Sequence, residues 1–374
     1  MTTPLHQSPH PLTFLARSGD GTSREGEVAY HIEVMGLGGF QKEGLARDVR
    51  TGRTWRLVCD EGAYLNGANM APAPLAYWVA GLHGDITARI AEAAREARVV
   101  LDELDVVVTQ GFGVKGSFAK GEATAQVHHM TCDVDLVCDE DETTVRMLVE
   151  QALGRSSAMA AVAGAHHGRF SLSANGRATP VSNLPVCTEP LADPFLEHAQ
   201  RPEPVETQPA AAPVPHPEGD KPPVMLTDDD DGIVSWRIRT DGGLDPATGL
   251  VASHVWFSEN SATWTCLSDP ANEAAPDPLV HFSIGTAFCF HTQLCRYVSI
   301  RRIPVDAPRL AQLSRFPASG FEPLDTGLFL HGQVSAEDAT KLMSAAANTC
   351  YAHRALSVEV EQRVSITHRR TRTP

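Results

Sequence analysis

One phrase occurs twice in this chain. Ala71-Pro-Ala-Pro-Leu75 returns as Ala275-Pro-Asp-Pro-Leu279, and in both places a glycine, Gly81 or Gly285, follows seven residues after the second proline. The copies are offset by 204 residues. Proline is well tolerated in the first turn of a helix, where its missing N–H would have no partner anyway, so each phrase opens a helix. A repeat this far apart implies a tandem duplication, and 374 residues exceed the usual size of a single core. The copies differ in one telling way: the position of Cys289 in the second holds Asp85 in the first. A later helical segment behaves alike, with Ser156 in the first half at the position of Cys350 in the second, an offset of 194 residues. One half therefore carries both sulfurs and the other neither.

Around these helices both halves read as α+β. In the first, alternating stretches at 27–34 and 54–59 suit antiparallel strands. They precede a helix with an apolar stripe through Ile86, Ile90, Ala93 and Ala97. Strands follow at 104–109 and 123–137, then a helix from Glu142 to Ala163 and a last strand at 169–173. The glycine run 111–116 reads as a hairpin turn between strands, since no helix follows it to cradle a phosphate. The second half repeats the order, with strands at 233–239 and 251–257, one at 298–305 and one at 326–334, a Cys350 helix from Ala336 to Leu356, and a closing strand at 358–366. The expected division is a flexible N-terminus (1–23), a domain lacking both cysteines (24–176), a Pro/Ala/acidic linker (177–231), a domain with the cysteine pair (232–368) and a basic tail (369–374).

A formal net charge of −15 argues against nucleic acid or an anionic membrane as partner. No apolar run approaches the roughly 18 residues of a membrane span, and residues 1–18 lack the pattern of a secretory signal, so the expected location is cytoplasmic. Eight cysteines without CxxC spacing in so long a chain do not make a disulfide scaffold. Histidines are frequent, but adjacent ones such as His128 and His129 on a strand face opposite ways, so no metal site is expected. By spacing alone, Cys289 and Cys350 read equally well as small buried residues or as a working pair. Cys295 lies about 240° round the helix from Cys289 and faces away from it.

Two cysteines about sixty residues apart, each on a helix and the first behind a Pro-Leu start, make the chain resemble the OsmC/Ohr family of thiol-dependent peroxidases. Its members are intertwined homodimers with active sites at the interface. The resemblance implies two OsmC-like α/β sandwich domains forming an intrachain pseudo-dimer that reduces organic hydroperoxides, with no cofactor beyond an external dithiol reductant. Cys289 corresponds to the peroxidatic cysteine and Cys350 to the resolving one. The family's glutamate after the proline is replaced by Leu279, and Asp277 is the nearest substitute. The activating arginine is expected at Arg239, with Arg237, Arg47, Arg50 and Arg53 as alternatives, and His353 as a helper in thiol exchange. Leu279, Phe282, Ile284 and Phe288 would form an apolar pocket for a small hydrophobic hydroperoxide or metabolite. Asp85 and Ser156 mark a degenerate site that walls the pocket or carries separate acid/base chemistry with His83. The same residues also fit an enzyme using Cys289 in a non-peroxidase biosynthetic step, or a non-catalytic redox-sensing protein. Further dimerisation of the pseudo-dimer is left open.

Overall fold

The computed structural model describes residues 4–19, 27–200, 202–205, 212–215, 226–228, 233–258, 261–318 and 320–370. A short strand, β1 (Thr13–Arg17), leads into β2 (Val28–Gly38), β3 (Gln41–Asp48), β4 (Thr54–Cys59) and the long helix α1 (Pro74–Ala97). After it come β5 (Glu103–Lys115), β6 (Thr124–Val137), α2 (Glu142–Arg155), α3 (Ser157–Ala163), β7 (Arg169–Ala174) and β8 (Arg177–Thr179). Between the halves lie α4 (Phe195–Ala199), β9 (Val214–Pro215) and β10 (Leu226–Asp228). The second half runs β11 (Ile233–Gly242), β12 (Val251–Ser258), β13 (Ser261–Ser268), α5 (Pro278–Arg301), β14 (Val305–Phe316), β15 (Asp325–Gly332), α6 (Ala336–Thr349), α7 (Tyr351–Leu356) and β16 (Gln362–Arg369).

The strands form two large sheets, and each sheet takes strands from both halves. One has the order β1-β4-β3-β2-β14-β15-β7-β8, the other β16-β6-β5-β11-β12-β13-β9. In each, a three-stranded meander from one half pairs antiparallel with a two-stranded unit from the other, which pairs parallel with a last strand from the first. Neither half can complete a sheet alone. The central seams are long: β2 and β14 pair from Arg309↔Met35 to Phe316↔Val28, and β5 and β11 from Ile233↔Lys115 to Gly242↔Val106.

Between the sheets lie α1 and α5, α5 against β14, β2 and β3 and α1 against β5, β11 and β12. Both have proline in the first turn, and both end on a left-handed arginine, Arg98 (φ 61°) and Arg302 (φ 52°). They cross in opposite directions with backbones touching. A Cβ on Gly81 would lie 2.3 Å from the Phe282 nitrogen and 2.6 Å from the Pro278 oxygen. A Cβ on Gly285 would lie 2.5 Å from the Trp78 nitrogen and 2.9 Å from the Pro74 oxygen. The repeated glycines thus serve close approach, and the start of each helix lies against the middle of the other.

Several boundaries differ from expectation. The glycine run 111–116 is not a turn: β5 continues to Lys115, and Gly111 makes room for His128, whose Cβ would stand 2.8 Å from a side chain there. Residues 298–301 extend α5 instead of forming strand. Part of the N-terminal segment is built in, with β1 paired to β4 and Leu5 buried. The segment expected as linker without a core is docked over its first part, where Asp193 forms an ion pair with Arg309 at 2.6 Å and His198 bonds Glu43 at 3.1 Å. The acidic run beyond Asp228 lies outside the described residues, as does the tail from residue 371, whereas His368 and Arg369 belong to β16.

Replacing Gly285 by alanine pushes a methyl into the Trp78 backbone. Even after the helix-propensity gain of about 1 kcal/mol, a net loss of about 2–3 kcal/mol is expected from chemical denaturation.

Candidate active site

Cys289 sits one turn beyond Gly285 on α5, so the helix crossing that buries the glycine brings the start of α1 over the thiol. Cys289 is 2 % exposed yet lines a cavity of about 270 Å³. The cavity takes Pro74 and Leu75 from the start of α1, Glu61, Tyr64 and Leu65 from the segment after β4, and Val114, Trp236 and Phe257 from the facing sheet. Thr292, Gln293 and Arg296 of α5 and Tyr351 of α7 complete it. Both halves therefore contribute walls. The wall is mostly apolar, while Glu61 and Arg296 bring opposite charges to it.

Cys350 is fully buried at the break between α6 and α7, where it caps α7 with φ −73° and ψ 109°. Its thiol interacts with that of Cys289 and lies 4.0 Å from the Thr286 carbonyl, one turn before Cys289. Both are free thiols. Burial, and then the neighbouring Cys289, push the Cys350 thiol well above its usual value. On its other side, the Sγ stands 3.2 Å from His353 Nδ1, and His353 Nε2 stands 3.1 Å from Thr326 Oγ1. A line of four side chains thus runs Cys289, Cys350, His353, Thr326.

Beside the cavity is a buried polar network. The Thr292 hydroxyl donates to Glu61 Oε1 at 2.7 Å and accepts from Lys42 Nζ at 2.9 Å, while the Tyr64 hydroxyl donates to Glu61 Oε2 at 2.7 Å. Lys42 has no exposed surface; burial pulls its pKa down, but Cys59, Glu61, Cys295 and Asp60 outweigh that and raise it. The ammonium thus keeps its charge and offsets that of Glu61 through the shared hydroxyl.

Arg239 is not at the site. Its side chain is 49 % exposed and faces Asp241 at 3.5 Å, because it occupies an outward position of β11 while its neighbour Ile238 points to the core. Two of the alternatives are engaged elsewhere, Arg50 with Asp48 and Arg53 with the Asn272 carbonyl, and Arg47 and Arg237 do not line the cavity. The guanidinium in the cavity is that of Arg296, which packs 3.6 Å over Phe118 and bonds Gln293 at 3.1 Å. It was legible in the sequence: seven residues past Cys289 is two helical turns, hence the same face. Glu61 carried no such signal, since it comes from a loop of the other half.

Leu279, Phe282 and Phe288 do not line the cavity. Phe282 packs on Trp78 and Phe288 on Tyr77, so they hold the two helices together. Since the helices cross head against middle, Cys289 is covered by the start of α1. Asp277, for the same reason, lies with the first half's site: it caps α5 through the Leu279 N–H at 2.7 Å and interacts with Asp85, Arg89 and Tyr30. Cys295 faces away from the cavity, 3.5 Å from His291 Nδ1.

In the first half, the Ser156 hydroxyl donates to Asp85 Oδ2 at 2.7 Å, and the Ala158 N–H reaches the same oxygen at 3.0 Å. Ser156 caps α3 with φ −72° and ψ 115°, the backbone geometry of Cys350. Burial raises the Asp85 carboxyl, although Arg89 3.6 Å away, Ser156 and the Ala158 and Ser157 amides favour its charge. Among the described residues no group of three or more His, Cys, Asp or Glu side chains is disposed to hold a metal. No helix among them is long and apolar enough to cross a membrane.

No protein-family model matches the chain, and no curated protein does. Among solved structures it is similar to an OsmC-like hydroperoxide resistance protein from Jannaschia sp. CCS1, with 21% identity, 41% of this chain and 98% of that chain covered, and a TM-score of 0.27.

Four buried histidines set an acid limit on the fold. Burial pushes His83 down to about 4 and His281, His291 and His353 down to about 3, from the usual 6.5. Between those values and 6.5 the folded chain binds fewer protons than the unfolded one, so their contribution falls as pH drops through that window. Asp277, raised to about 7 chiefly by burial, has the opposite sign. The melting temperature is therefore expected to fall on acidification from pH 6.5 toward 4, less steeply in His291→Gln than in the parent chain.

Proposed function

We propose that this protein is a tandem, pseudo-dimeric OsmC-like peroxidase that reduces organic hydroperoxides at Cys289, using Cys350 to resolve the product. The single observation that carries the reading is the pairing of two free buried thiols, one of which, Cys289, lines a mostly apolar cavity that also holds a guanidinium. The pseudo-dimer is supported by the strand exchange in both sheets and by the reciprocal contacts of Gly81 and Gly285.

In this scheme the Cys289 thiolate attacks one peroxide oxygen and the O–O bond breaks. The alkoxide leaves with the bonding pair beside Arg296 and is protonated to the alcohol, leaving a sulfenic acid on Cys289. The Cys350 sulfur then attacks Cys289, the S–O bond breaks, and the hydroxide takes the proton released by Cys350 and departs as water. The resulting disulfide is reduced by an external dithiol. The apolar walls favour an alkyl or aryl peroxide over hydrogen peroxide. Asp85 and Ser156 have no sulfur and cannot follow this cycle, so one site per chain works.

Glu61 and Gln293 in the same cavity favour a second reading, in which Cys289 acts on a polar metabolite in a non-peroxidase reaction. Turnover of cumene hydroperoxide with a dithiol separates the two. Activity is expected in the parent chain, none in Cys289→Ser, and kcat/KM about 10²–10³ lower in Arg296→Ala, the scale of losing one donor to a developing oxyanion. No turnover, with Cys289 still open to alkylation, would favour the second reading.

A further inference from the structure

A second cavity, of about 370 Å³, is lined by His353, the neighbour of Cys350. Thr124 and Gln126 of β6, His167 and Gly168, Asn348 at the end of α6, and His353 and Arg354 of α7 contribute to it. Its chemistry differs from that of the Cys289 cavity. No carboxylate lines it, whereas Arg354 and two imidazoles do. Arg354 is exposed and takes part in no ion pair among the described residues. His353 is the shared element, with its ring edge at this cavity and its Nδ1 3.2 Å from the Cys350 sulfur. Gly168 leaves that edge uncovered, since a Cβ there would come within 3.3 Å of His353 Cδ2.

We infer that this cavity is the port of the reducing thiol, that its occupant is a small thiol bearing a carboxylate, and that His353 is the gate between it and Cys350. The inference rests on the disulfide cycle proposed above and assigns its two half-reactions to different cavities. The incoming thiol loses its proton to solvent, and its sulfur attacks Cys350 Sγ. The Cys289–Cys350 bond breaks and Cys289 leaves as the thiolate into its own cavity. The second thiol then attacks the mixed disulfide and loses its proton to solvent. Cys350 leaves as a thiolate and takes a proton from solvent. Two thiols are oxidised to one disulfide, and the protein disulfide is reduced to two sulfurs. The arrangement keeps a polar reductant out of the apolar cavity.

The test measures reduction of the bridge alone. The bridge is made with diamide, so a failure of hydroperoxide turnover and a failure of this inference are told apart. Rates are compared for dimercaptosuccinate, which carries carboxylates, and dithiothreitol, which does not. Arg354→Glu is expected to lower the dimercaptosuccinate-to-dithiothreitol ratio about tenfold at low salt, with the difference shrinking as salt screens it. Asn348→Trp, at an exposed position, is expected to slow both reagents. An unchanged ratio in Arg354→Glu, together with parental rates in Asn348→Trp, would overturn the inference. So would Leu65→Trp, in the other cavity, being the substitution that blocks reduction.

Discussion

Two glycines on crossing helices let backbone meet backbone at the centre of the molecule, and the rest is arranged around that contact. With a side chain at either position, α1 and α5 would stand further apart, and both sheets packed on them would have to follow. The crossing runs head against middle, so the start of each helix lies against Cys289 or Asp85 of the other. That is why Pro74 and Leu75 roof Cys289 while Asp277 sits by Asp85. It also shows why neither half makes a site alone: the loop bearing Glu61 belongs to one half and the helix bearing Arg296 to the other.

Much of the architecture was legible in the sequence because its signals were local. Proline at a helix start, an apolar stripe and alternating strands each report on a few neighbouring residues. The order of elements in each half follows from them. What stayed hidden was the partner of each strand. Nothing in β2 says that its neighbour is β14, nearly three hundred residues on, because pairing is fixed by long-range packing. The glycine run in β5 misled for a related reason. Glycine commonly marks a turn, but Gly111 admits a side chain from the neighbouring strand.

The site divides along the same line. Cys289, Cys350 and His353 came from repeat, resemblance and helical spacing, and the structure brings them into one line. Arg296 shares a helix face with Cys289 and was open to the same arithmetic. Arg239 was chosen for lying on the first strand of its half, but strand alternation turns it to solvent. Glu61, Lys42 and Tyr64 had no signature, since their network forms only when a loop of one half meets Thr292 of the other.

The two halves hold one geometry with different atoms. Asp85 and Ser156 meet through a 2.7 Å hydrogen bond at the places where the second half has two interacting thiols, and the backbone at Ser156 and Cys350 is nearly the same. The hydrogen bond ties one helix break to its long helix; in the proposed cycle the thiols form a link that is made and broken. The most direct test is intact mass and peptide mapping after the reduced protein meets one equivalent of an alkyl hydroperoxide. The account predicts the loss of two hydrogens, mapping to a Cys289–Cys350 bridge. Stable oxygen addition at Cys289 with no bridge, or a bridge that joins Cys289 to Cys295, would contradict it.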